Sequence, residues 1–129
     1  MVAISLGAIL GANARFVVGR ETAERFHHLF PLGTFVINCT GSFVLGFYLT
    51  LVSNRPGARP ATRLFIATGF LGAYTTFSTY SDESANLLRA GEYLTAFAYA
   101  AGSLVLGLLV AWLGSVVAHR AISGRFGRS

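Results

Sequence analysis

The sequence predicts an all-α membrane protein: one four-helix transmembrane domain over residues 1–129, with its third helix broken at mid-membrane. Three observations lead there. Of the 129 residues, 53% are apolar and 12% are charged, about half the charge of a typical soluble domain. Four apolar stretches approach or reach the roughly 20 residues that a bilayer-spanning helix needs. The charges collect between and beyond those stretches, where lipid headgroups and water meet them.

The first stretch, 1–19, is interrupted only by Arg15. It lacks the basic leader and clear cleavage site of a signal peptide, so it is expected to form a mature helix over 2–24. Gly7 and Gly11 form a G-x-x-x-G pair on one face, which lets another backbone come close. The second stretch, 34–52, has no charge and predicts a helix over 34–53. Pro31 and Gly33 precede it, and Thr34 is a candidate N-cap. A turn at Ser53, Asn54, Arg55, Pro56 and Gly57 ends it.

The third stretch, 64–81, is uncharged but rich in hydroxyls, and the whole segment is expected over 61–90 with Pro60 in its first turn. Gly69 and Gly72 lead into Thr75, Thr76, Ser78, Thr79 and Ser81. Glycine disfavours the helix, and Thr and Ser offer the backbone other partners. A break is therefore expected between Gly72 and Thr76. The alternative is a straight helix whose hydroxyls bond back to their own carbonyls. A break in the bilayer is tolerated only where protein or a cavity covers it, and broken helices there often serve ions. Gly91 marks a turn before the fourth helix, 93–118, the longest and cleanest stretch. In it Ser103, Gly107, Ala111 and Ser115 recur every four residues as a close-packing stripe. The basic tail from Arg120 on is expected to fray.

All ten cationic residues are arginine, and they form no cluster of the kind nucleic acid requires. With four spans, Arg55, Arg59 and Arg63 share a side with both termini, Arg120, Arg125 and Arg128; Arg20, Arg25 and Arg89 face the other way. This bias puts the termini inside. Cys39, the single cysteine, excludes an internal disulfide and reads as a small buried hydrophobe. His27 and His28 fall in a loop, where interfacial placement outweighs metal binding.

Polar atoms within the spans need partners or a wet path. Asn38 is expected at a helix interface or beside such a path. Phe77 and Tyr80, three apart, share a helix side, and aromatic edges are positive enough to face an anion. Arg15 either snorkels to the interface or draws anions in, and Asp82 and Glu83 cap the third segment or line an entrance.

At these residues the chain resembles the small fluoride channels of the Fluc, or CrcB, family. The run from Gly69 to Glu83, GFLGAYTTFSTYSDE, is similar to the family's glycine-rich T-T-F-S-T-F-S-x-E signature. Gly11 to Phe16, Pro31 to Thr34, Asn38 and Gly41 to Phe43 extend the likeness over nearly the whole chain. The resemblance implies two copies, inserted in opposite orientations as an antiparallel dual-topology dimer with two pores, or one copy paired with a paralogous subunit. It implies fluoride contacts at Asn38, Phe77, Tyr80, Thr76, Ser78, Thr79, Tyr99 and Ser103, with Arg15 and Glu83 in a vestibule. It also implies a structural Na⁺ at the dimer centre, held by the backbone carbonyls of Gly72 and Thr75. Tyr80 departs from the usual second phenylalanine, Ala73 from a second glycine, and Gly107 from a frequent pore-facing hydroxyl.

The function so implied is passive, selective fluoride export across the cell membrane, relieving fluoride toxicity, with no reaction catalysed. A small four-helix drug or cation exporter is the main alternative, though such proteins depend on an intramembrane carboxylate that the first two spans lack. A non-conducting assembly subunit is another.

Overall fold

The computed structural model describes residues 1–26, 29–54, 57 and 59–126. His27, His28, Arg55, Pro56, Ala58 and the tail beyond 126 lie outside the described residues. Among the described residues every regular element is helical. Helix α1 covers Val2–Arg25 and α2 covers Leu32–Ser53. The third segment is composite: a short α3 (Pro60–Arg63), a π-helical stretch (Leu64–Leu71), a three-residue α4 (Gly72–Tyr74) and then α5 (Phe77–Arg89). Helix α6 covers Tyr93–Phe126. Three helices, α1, α2 and α6, are long and apolar enough to cross a membrane.

Two backbone-to-backbone seams hold the bundle. In the first, α1 lies along the π-helical stretch. A methyl group on Gly7 would run into the carbonyl of Phe65, and one on Gly11 into that of Phe70. The G-x-x-x-G pair is therefore consumed within the chain. In the second, α2 runs along α6. Gly46 meets the Ala111 carbonyl and Gly114 meets that of Phe43, while Ser115 Oγ donates to Gly46 O at 3.3 Å. The expected stripe on α6 thus divides. Ala111 and Ser115 face α2, whereas Gly107 has no atom within 4 Å of where its Cβ would be.

The third segment breaks where its glycines and hydroxyls predict. Thr75 (ψ 157°) and Thr76 (φ −148°, ψ 121°) are extended. The helix restarts at Phe77 because Thr76 caps it, its hydroxyl accepting from the Thr79 N–H at 3.2 Å.

Two local expectations are corrected. Thr34 is not the cap of α2; Pro31 holds that place, and Thr34 lies inside the helix with its hydroxyl committed elsewhere. The segment from Arg120 does not fray at once, for α6 continues to Phe126. Helix formation there needs no apolar run once the preceding turns supply the nucleus.

The buried centre is small. Tyr99 is fully buried with Leu87 and Ala96, ringed by Phe30, Phe35 and Tyr80. Phe30 meets Tyr99 edge to face, centroids 5.3 Å apart. By contrast Leu94, Phe97, Leu104 and Trp112 stand largely exposed, as helices do when lipid or another helix covers them.

Candidate functional site

The site grows from the break. A continuing helix would direct the Thr76 N–H at the Gly72 carbonyl. Instead that N–H donates to Asn38 Oδ1 at 2.8 Å, and Asn38 Nδ2 donates to Thr76 O at 3.0 Å. One amide on α2 thus satisfies both polar groups of an extended residue, the requirement for interrupting a helix away from water. Gly41, one turn along α2, lets Thr75 come close; a methyl there would strike Thr75 Cγ2. The Thr40 hydroxyl and the Tyr74 hydroxyl, 2.9 Å apart, tie α2 to α4 on the same side.

Hydroxyls gather at the start of α5. Thr76 Oγ1 donates to Thr79 Oγ1 at 3.0 Å and lies 3.2 Å from Ser78 Oγ. The rings of Phe77 and Tyr80 follow, centroids 5.7 Å apart and inclined by 37°. Phe77 is 79% exposed. Tyr80 packs on Tyr99 and reaches α6, its hydroxyl donating to Ala100 O at 3.4 Å. Ser103, on the next turn, has a buried hydroxyl oxygen without a partner.

These groups surround a cavity of about 620 Å³, lined by Asn38, Thr76, Phe77, Tyr80 and Ser103 among mainly apolar atoms. A second cavity, of about 770 Å³, contains Arg15, Thr34, Thr79 and Glu83. Thr76 lines both and is itself only 8% exposed. The break is therefore the wall between the two spaces.

In the second cavity Glu83 is anchored from both sides. Thr34 Oγ1 donates to Oε1 at 2.9 Å, and the Tyr99 hydroxyl donates to Oε2 at 2.7 Å. Tyr99, expected among the pore contacts, is thus fully buried and turned toward this carboxylate. Arg15 reaches from α1 to the break, Nη1 lying 3.5 Å from Thr75 O. Sequence reasoning missed the roles of Thr34, Thr40 and Tyr74. Thr34 had a signal, since it lies in a stretch that carried the resemblance.

The structure brings together Asn38, Thr75, Thr76, Phe77, Tyr80 and Ser103 around one cavity, and Arg15, Thr79 and Glu83 around the other. Ser78 joins the first group through Thr76. Gly72 also lines the first cavity.

A multi-pass membrane protein with a helix broken between two cavities, one lined by an amide, hydroxyls and two aromatic rings, has the architecture of proteins that pass small solutes across a bilayer. The family model described as "CrcB-like protein, Camphor Resistance (CrcB)" matches residues 2–115. A protein of Acidobacterium capsulatum named fluoride-specific ion channel FluC is 47% identical over 120 residues, covering 93% of this chain and 96% of its own length. Proteins of the same name from Chloroflexus aurantiacus and Aquifex aeolicus are 45% and 40% identical, over 88% and 89% of this chain. The chain belongs to the CrcB family.

Proposed function

We propose that the protein is a fluoride-selective channel that lets fluoride leave the cell down its gradient. The observation that carries this reading is the wall at Thr76. An ion in the cavity of Arg15 and Glu83 is separated from the cavity of Asn38, Phe77 and Ser103 by one threonine, the N-cap of α5. Relatives over most of the chain are named for fluoride conduction.

Fluoride is compact and strongly hydrated, so its water must be replaced by donors within reach. Asn38 spends one N–H on the Thr76 carbonyl, and a primary amide carries a second. The hydroxyls of Ser78, Thr79 and Ser103 and the ring edges of Phe77 and Tyr80 continue the path, while Thr76 gives its O–H to Thr79 Oγ1 and so leaves the Thr79 hydrogen free to donate. Arg15 supplies positive potential at the entrance. Glu83, held by Thr34 and Tyr99, orders that entrance. No bond is made or broken, so the protein is not an enzyme.

A second copy in antiparallel orientation completes the pore in this reading, with a paralogous subunit the alternative. Its support lies in features the single chain leaves open: the exposed Phe77 ring, the empty surroundings of Gly107, and the apolar wall of the 620 Å³ cavity.

A structural Na⁺ fits the same break. The Thr76 N–H is diverted to Asn38, so the Gly72 carbonyl loses its helical donor, and the extended Thr75 turns its carbonyl out of the helix. Gly72 and Thr75 would hold the ion, as carbonyl oxygens suit a hard monovalent cation. When bound, it adds positive charge beside a passing anion.

The test is fluoride efflux from liposomes containing only this protein, read with a fluoride electrode. Rapid fluoride loss with chloride retained is the expected result. Chloride passing as readily as fluoride overturns the reading.

A further inference from the structure

The charges of the chain are sorted between the two ends of the bundle, and the helix contacts fix which groups share an end. Gly7 lies against Phe65 and Gly11 against Phe70, so α1 and the π-helical stretch start together. Arg59 and Arg63 stand just before that stretch, at the end where Met1 lies. The third segment finishes at Arg89 on the far side, and α6 returns from there. It crosses α2 where Gly46 meets Ala111 and Gly114 meets Phe43. Beyond the crossing, α2 runs about two turns to Ser53, and Arg120 lies about two turns past Gly114. Arg59, Arg63 and Arg120 therefore emerge at one end.

All five carboxylates of the sequence, Glu21, Glu24, Asp82, Glu83 and Glu92, lie toward the other end, in the closing turns of α1 or after the break. The arginines there are partnered. Arg20 pairs with Glu21 and Glu24, Arg25 pairs with Glu21, and Arg89 donates to Asn86 Oδ1 at 2.8 Å. The side chains of Arg59, Arg63 and Arg120 are exposed and make no ion pair or hydrogen bond with any described residue.

Water can satisfy those guanidinium groups, but not the surface just inside them. Leu64 follows Arg63 directly, and Leu113 and Val117 precede Arg120 on α6; these three side chains are 40–47% exposed. A ligand that fits both parts has an anionic head and an apolar body. Free phosphate has only the first. We propose that this end of the bundle binds anionic phospholipid, its phosphate held by Arg59, Arg63 and Arg120 and its acyl chains lying along Leu64, Leu113 and Val117. Guanidinium groups take phosphate oxygens two at a time. A zwitterionic lipid offers the same phosphate with a cation beside it, so the three arginines favour a headgroup of net negative charge. The inference is independent of the fluoride reading.

The test equilibrates the detergent-solubilised protein with equal parts of phosphatidylglycerol and phosphatidylcholine, and counts the lipids it retains by native mass spectrometry. Enrichment of phosphatidylglycerol is expected. Each of Arg59→Gln, Arg63→Gln and Arg120→Gln should lower the enrichment about fivefold, the worth of one arginine near an anionic surface, and the triple variant should retain both lipids alike. Arg89→Gln makes the same charge change at the carboxylate end and should leave the enrichment as it is. Circular dichroism checks that each variant is folded. Equal retention of the two lipids by the wild type overturns the proposal, as does a triple variant that still enriches phosphatidylglycerol. An Arg89→Gln effect as large as the others would assign the preference to net charge and overturn it too. Excess inorganic phosphate is expected to leave the lipid in place; its displacement would show a plain anion site instead of a lipid one. Fluoride efflux enters none of these outcomes, so the channel reading and this one fail separately.

Discussion

Asn38 pairs with Thr76 as one β-strand residue pairs with another, accepting from its N–H at 2.8 Å and donating to its carbonyl at 3.0 Å. The amide stands in for the helical bonds that Thr76 gives up, so the break and Asn38 depend on each other. Asn38→Asp keeps the acceptor but removes the donor and sets a carboxylate oxygen against the Thr76 carbonyl. It is expected to abolish fluoride efflux from liposomes and to cost about 1–3 kcal/mol of stability, the range for a buried group left unsatisfied. Thermal unfolding in detergent measures the second effect.

Glu83 accepts from two donors on two helices, Thr34 and Tyr99. Glu83→Gln retains one acceptor oxygen, so one of those hydroxyls loses its charged acceptor and has to turn to accept from the new amide instead. A loss of about 1–2 kcal/mol in unfolding free energy is expected. A double-mutant cycle of Thr34→Val with Glu83→Gln should show a coupling of about 0.5–3 kcal/mol, as for residues in one network. A cycle that sums without coupling would mean that the Thr34 bond contributes nothing.

The glycines sort into two kinds, and substitution separates them. Gly11→Ala drives a methyl into the Phe70 carbonyl, and Gly114→Ala drives one into that of Phe43. Backbone cannot give way as a side chain can, so each is expected to destabilise by about 1–3 kcal/mol or to prevent folded expression. Gly107→Ala meets nothing within the chain. If a second copy completes the pore, its expected effect is on assembly: size-exclusion chromatography should show a weaker dimer, with the secondary structure by circular dichroism unchanged.

If Na⁺ binds the Gly72 and Thr75 carbonyls across a dimer, its removal weakens the assembly. Replacing Na⁺ with a bulky organic cation at constant ionic strength is expected to lower the melting temperature and the dimer fraction together. A ligand present at 100 times its Kd stabilises by about 2.7 kcal/mol, which sets the size of shift to look for. Identical melting in both salts would count against the site.

How much of this was legible beforehand follows from the physics of each feature. Composition locates α1, α2 and α6 because the bilayer demands length and apolarity from every spanning helix. The interruption after Gly72 is readable because glycine and a run of Thr and Ser weaken a helix locally. The arrangement around Glu83 is not readable in that way. Thr34 lies 49 residues from it in the chain and Tyr99 lies 16 away, and only the packing of α2, α5 and α6 brings all three together. Thr34 looked like a cap because caps are judged from neighbours in sequence, whereas its hydroxyl answers to a distant carboxylate. The Tyr80 bond to Ala100 is hidden for the same reason, and the π-helical stretch carries no marker in its sequence, LFIATGFL.

That stretch, Leu64–Leu71, has a consequence for how the chain tolerates changes in length. A π turn closes its hydrogen bond one residue later than an α turn, so the stretch holds surplus chain ahead of the break. Shortening it by one residue would let the turn relax to α geometry and leave Asn38 and Thr76 still facing each other. The same deletion in α2 or α6, where no such slack exists, would rotate every later side chain by about 100° around its helix axis. The approach to the break is thus the one part of these spans built to absorb a lost residue, and a deletion scan of residues 64–71 would show it as an island of retained folding.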